Sequence, residues 1–164
     1  MVQILVNLAK MLRLRGGPQN MPASWPLMIF LVTAYLVQNL VTGQQLEDEN
    51  AAAKTLVAMC LQIVVLVGLL FWRRRTERFA QTLGALAGVG LVFNTITWFL
   101  LMQSDPALNQ PVLALTWFSV FIWSLFVDAH IYRNALSVTL ALGMLITVLT
   151  LAASYTIIEL LYLM

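Results

Sequence analysis

Long apolar runs alternate along the chain with short polar interruptions. A helix needs about 20 mostly apolar residues to cross a hydrocarbon layer roughly 30 Å thick. On that measure the pattern predicts five spans, near Pro26–Thr42, Thr55–Trp72, Phe79–Met102, Pro111–Val127 and Leu136–Met164. Backbone groups cannot stay unpaired in lipid, so such runs are helical or belong to a closed barrel. The period-2 alternation of a membrane barrel is absent. The interruptions read TGQQLEDENAAAK, WRRRTER, QSDPALNQP and DAHIYRNA, with Pro106 and Pro111 punctuating the third. The expected fold is an all-α polytopic membrane helix bundle.

A sixth helix precedes the spans. In MVQILVNLAKMLRLRGG, a 3.6-residue period puts Ile4, Leu5, Leu8, Met11 and Leu12 on one face. Gln3, Asn7, Lys10 and Arg13 fall on the other, and Gly16-Gly17-Pro18 ends the pattern. The stretch lacks the charged start and small-residue cleavage site of a signal peptide. Residues 1–17 are therefore expected to form an amphipathic interfacial helix, either in the membrane surface or packed on the protein itself. Residues 18–164 form the five-span domain.

Composition agrees: 61% of residues are hydrophobic, 10% are charged and mean hydropathy is +0.87. The charges are also sorted. Lys10, Arg13 and Arg15 precede span one, Arg73, Arg74, Arg75 and Arg78 lie between spans two and three, and Arg133 follows span four. Glu47, Asp48, Glu49 and Asp105 occupy the alternate connections, with Lys54 as their only cation. The positive-inside rule then implies a cytoplasmic N-terminus and a C-terminus on the opposite side, which in the bacterial inner membrane expected for this chain is the periplasm. The arginine loop reads first as a topological anchor, and second as a contact for phosphate or acidic lipid. Trp25, Trp72 and Trp98 stand near span ends, as interfacial aromatics do.

Candidate chemistry is sparse. Ala80, Gly84 and Gly88 fall four residues apart on span three, a face on which another helix can approach closely. That face leaves room for a homo-oligomer or for a helix of the same chain. Gln38, Asn39, Gln62, Gln81, Asn94, Thr95 and Thr97 would line a polar path or bond between helices. The spans as bounded hold no mid-membrane charge, which argues against an ion-coupled pump. Asp128, His130, Tyr132 and Arg133 form a polar cluster after span four, expected to cap it, with Asp128 paired to a loop arginine. Asp128 and Tyr132 are one turn apart, whereas Asp128 and His130 diverge by about 200°. A single cysteine, Cys60, excludes a dithiol oxidase, and a single histidine excludes an ordinary zinc site. No nucleophile elbow or phosphate loop occurs. Neither an enzyme, a cofactor nor a nucleic-acid partner is expected.

RRTERFAQTLGALAGVG resembles the opening of the third span in bacterial Yip1-type proteins. WFSVFIWSLFVDAHIYRNALSVTLALGMLITVL resembles their tryptophan-containing fourth span and closely following fifth. The resemblance covers most of residues 10 to 160. It implies a membrane adaptor with no catalytic residues. The aspartate-leucine-tyrosine-glycine-proline motif of eukaryotic members is missing, so their Rab-linked role does not transfer. The combined expectation is an integral scaffold or accessory subunit that meets lipids and another membrane protein or complex. Two alternatives are a small carrier or channel with a polar intramembrane path, and a lipid- or quinone-handling accessory.

Overall fold

The computed structural model describes residues 2–46, 50–105 and 109–162. Glu47, Asp48, Glu49, Pro106 and Met164, which carried sequence expectations, lie outside these residues. The described residues form six α-helices and no strand: α1 (Val2–Leu12), α2 (Trp25–Gln45), α3 (Ala51–Trp72), α4 (Phe79–Leu101), α5 (Pro111–Leu136) and α6 (Leu140–Tyr162). Short 3-10 turns at Pro18–Asn20 and Thr76–Arg78 precede α2 and α4. Five of the helices, α2 to α6, are long and apolar enough to span a membrane. The chain is a multi-pass membrane protein.

Local chemistry marks the helix ends. Ser24 caps α2, its hydroxyl accepting from the Leu27 N–H at 3.4 Å, and Pro26 occupies the first turn where no N–H is missed. α3 ends in a left-handed residue, Arg74 at φ 53°. There the Arg75 N–H reaches Leu70 O at 2.8 Å and the Arg74 N–H reaches Phe71 O at 3.0 Å, the paired bonds of a Schellman ending.

α4 is the centre. From Ala80 to Val89 every residue but Gln81 is buried, and half of this span's most apolar window is buried against 11–17% in the others. α2 and α5 pack against α4, α6 packs along α5, and α3 closes the ring against α2, α4 and α6. The remaining apolar surface of the outer helices is what lipid would cover.

One boundary differs materially from the sequence expectation. Span four does not stop at Val127, because α5 continues for nine more residues to Leu136. Ala129, Ile131, Tyr132, Ala135 and Leu136 are all buried, so the segment after Asp128 is core helix. DAHIYRNA is therefore not a connection, and only 137–139 link α5 to α6. Charge reads as a helix break in sequence only until the structure supplies a place for it.

The N-terminal helix also does more than lie on a surface. Asn7, Leu8 and Met11 face the bundle, and Met11 is fully buried. Asn7 donates to Asn20 O at 2.6 Å and the Trp123 indole donates to Leu12 O at 3.0 Å. Trp123 is near the middle of α5, so α1 docks along the bundle. Val2, Leu5 and Val6 remain exposed, which splits the apolar stripe between protein and surroundings.

Candidate functional site

The arginine loop meets the end of α5. A helix leaves its last four carbonyls without intrahelical donors. In α5 these are Arg133, Asn134, Ala135 and Leu136. Arg133 O accepts from the Val138 N–H at 3.1 Å. Arg78 Nη1 donates to both Asn134 O and Ala135 O at 3.2 Å. Arg73 Nε donates to Leu136 O at 3.2 Å, and its Nη2 to Ser137 O at 3.4 Å. Arg75 donates to the Ser137 hydroxyl at 2.6 Å. The guanidinium charges also sit at the negative end of the helix dipole. Arg73 and Arg78 thus bind this chain's own backbone, and Arg75 its Ser137 side chain. The expected Asp128–arginine pair does not form among the described residues, because the arginines are engaged at the C-terminal end of α5 while Asp128 lies two turns inside it. The Arg74 side chain makes no hydrogen bond among the described residues and stays exposed.

The polar cluster is dispersed by helical geometry. His130 is buried and its Nε2 lies 2.6 Å from Gly16 O, which makes Nε2 the protonated nitrogen since a carbonyl only accepts. Arg133 is exposed. Asp128 and Tyr132, one turn apart, face into the bundle.

There they line a cavity of about 320 Å³ among α2 to α6. Its polar wall comprises Tyr35, Gln62, Asn94, Ser124, Asp128, Tyr132 and a stripe from α6; Leu86, Phe93 and Phe121 supply apolar wall. Asp128 is half-buried and makes no hydrogen bond or ion pair among the described residues. Among the described residues no Lys, Arg or His lines the cavity. Among the described residues the Asn94 amide nitrogen is buried without a hydrogen-bonding partner, and the Tyr132 hydroxyl is buried beside Gln62 without a well-formed hydrogen bond. Such groups are costly in a membrane interior unless water or a ligand meets them. A second cavity of about 240 Å³ shares Tyr35, Ala58, Met59 and Gln62 with the first and adds Asn39, Lys54 and Thr55. Together they trace a path from the Lys54 end to Asp128. Beyond Asp128, toward the arginine loop, Leu66, Leu70, Ile131 and Leu136 are fully buried and close it.

The other polar residues divide as follows. Gln62, Asn94 and Thr97 line the cavity. Gln38 bonds Thr95 between α2 and α4 at 2.8 Å, and Gln81 bonds Met21 O at 2.7 Å. Asn39 turns back to Tyr35 O at 2.8 Å. Trp25 and Trp72 are exposed, but the Trp98 indole nitrogen is buried and unpartnered, so Trp98 is not an interfacial anchor of the usual kind.

Ala80, Gly84 and Gly88 are all buried. A Cβ at Gly84 would sit 3.6 Å from Met28 Cα of α2, and one at Gly88 would sit 2.8 Å from Leu8 Cδ2 of α1. The tightest approach of two helix backbones is elsewhere: a Cβ on Gly143 of α6 would overlap Ala129 O of α5. Sequence reasoning passed over Gly143, yet a signal was there. Gly143, Thr147, Thr150 and Ser154 fall at i, i+4, i+7 and i+11, one small and polar stripe whose last three members line the cavity. Ser124, Asp128 and Tyr132 form the matching stripe on α5.

No protein-family model, curated protein or solved structure matches the chain.

Proposed function

We propose that the protein is a small membrane carrier whose working site is the polar cavity between α2 and α6. The carrying observation is Asp128: a carboxylate without partner, on the wall of an intramembrane cavity, two turns inside a spanning helix. Ionisable groups inside membranes are expensive and mark solute or ion pathways. The path from Lys54 to Asp128, closed beyond Asp128, matches a carrier open to one side. The scaffold reading draws less support, since Arg73 and Arg78 are engaged with α5 carbonyls and Arg75 with Ser137. The five-span plan remains compatible with the Yip1-type resemblance, which carries no site residue.

The cation asymmetry supports an inner-membrane placement with the arginine loop in the cytoplasm and the cavity open to the periplasm. A C-terminal alkaline phosphatase fusion is then active and a C-terminal GFP fusion dark; the reverse result removes this orientation.

Cavity access is tested by cysteine labelling. In a Cys60→Ser background, Ser124→Cys should react with membrane-impermeant methanethiosulfonates, because thiolate formation needs water. Val64→Cys, on the exposed face of α3, serves as the lipid-side control. Equal, negligible labelling at both positions would remove the carrier reading.

A further inference from the structure

We infer that the cavity at Asp128 selects small organic cations, with an ammonium group seated against the carboxylate. The inference rests on the carrier reading above and gives it a substrate class.

Charge is the first argument. Among the described residues Asp128 is the only carboxylate lining the cavity, and no basic side chain lines it. An ionised carboxylate at this depth is costly unless a counter-charge accompanies it. The protein's own cations do not provide one. Arg73, Arg75 and Arg78 are bonded at the end of α5. Lys54 lines only the second cavity. It lies eight residues from Gln62 along α3, about 12 Å at roughly 1.5 Å per residue. The counter-charge has to arrive with the ligand.

The walls are the second argument. Tyr35, Phe93, Phe121 and Tyr132 place aromatic rings around the same space. Aromatic faces attract ammonium and quaternary ammonium groups when water is excluded. The hydroxyls of Ser124, Thr150 and Ser154 add oxygen acceptors, and Gln62 and Asn94 add amide oxygens. An anion would find one repelling carboxylate and no cationic partner here. The volume of about 320 Å³ suits a small solute.

A bound proton is the competing way to neutralise Asp128, and it predicts no preference for cationic reagents. The test compares two impermeant methanethiosulfonates on Cys60→Ser/Ser124→Cys protein in proteoliposomes. One carries a trimethylammonium group and the other a sulfonate. Each rate is normalised to that reagent's rate with a free thiol in solution. The cationic reagent should label Ser124→Cys at least about tenfold faster than the anionic one. Adding Asp128→Asn, which keeps the side-chain shape, should collapse that ratio toward one, and Asp128→Glu should retain most of it. Choline should slow the cationic reagent, whereas its neutral isostere 3,3-dimethylbutan-1-ol should not. Labelling by both reagents at a ratio near one, or a ratio unmoved by Asp128→Asn, overturns the cation inference while leaving the carrier reading standing. Labelling by neither overturns both.

Discussion

At its C-terminal end α5 presents the carbonyls of Arg133, Asn134, Ala135 and Leu136, and each has a donor from the backbone or from Arg73 and Arg78. Two turns earlier the same helix presents Asp128, which has no partner among the described residues. Both regions are polar and both lie inside one apolar bundle. In the first, polarity is matched within the chain and serves the fold. In the second it is left open toward a cavity and is free to meet something else. The difference teaches that the number of charges in a region says less than whether each charge already has a partner.

The largest effect should come from breaking the packing that joins the two regions. Gly143 lets α6 lie on Ala129 and Arg133, between Asp128 and the capped end. Gly143→Leu forces the two backbones apart, and backbone cannot yield as a flexible side chain does. Lipid solvates the parted surfaces, so no compensating burial follows. A loss of about 3 kcal/mol or more is expected, at the top of the range for overpacking. Thermal aggregation in mild detergent measures it, and unchanged melting would show that α5 and α6 do not pack this closely.

Breaking the capped region should rank next. Arg78→Ala removes both donors to Asn134 O and Ala135 O. Hydrogen bonds from charged groups contribute about 1.5–3 kcal/mol each when well buried, and Arg78 retains 28% side-chain exposure, so a total near 2 kcal/mol is expected. Arg78→Lys sharpens the point. Lysine keeps the charge that sets orientation but lacks the rigid planar group that aims Nη1 at both carbonyls. It should insert with unchanged topology yet lose about 1 kcal/mol. Full stability in the lysine variant would return the loop to a purely topological role.

The open region should respond in the opposite sense. Asp128→Asn removes a carboxylate that none of the described residues satisfies, so stability should stay level or rise by up to about 1 kcal/mol. Uptake should fall while the fold holds. A marked destabilisation would mean that Asp128 belongs to the structural class after all.

The smallest effect is a packing control. A Cβ at Gly84 makes ordinary contact with Met28 Cα at 3.6 Å, so Gly84→Ala should shift stability by less than about 0.5 kcal/mol. Comparing it with Gly143→Leu and with the intermediate Gly143→Ala in the same detergent locates the tightest helix pair. A larger loss at Gly84 than at Gly143→Ala would reverse the assignment.

Much of this protein was legible before any coordinates. Apolar runs of sufficient length must become helices in lipid, and local caps such as Ser24 and Pro26 set where they begin. Alternation of cations and anions between the runs carries a topology. The face bearing Ala80, Gly84 and Gly88 could be drawn from spacing alone, because a helix repeats every 3.6 residues.

Spacing could not say which polar residues would be answered. Asp128, His130 and Arg133 look alike as a short charged stretch, and in sequence they read as a connection. Their fates separated only when α5 continued to Leu136: His130 met Gly16 O, Arg133 stayed exposed, and Asp128 faced the cavity. The loop arginines likewise found α5 carbonyls 56 to 63 positions away in the chain. Helix formation and span length follow from interactions within a few residues, so the sequence by itself determined them. Partnership between distant polar groups depends on which helices lie side by side and at what depth, and only the tertiary structure decided that.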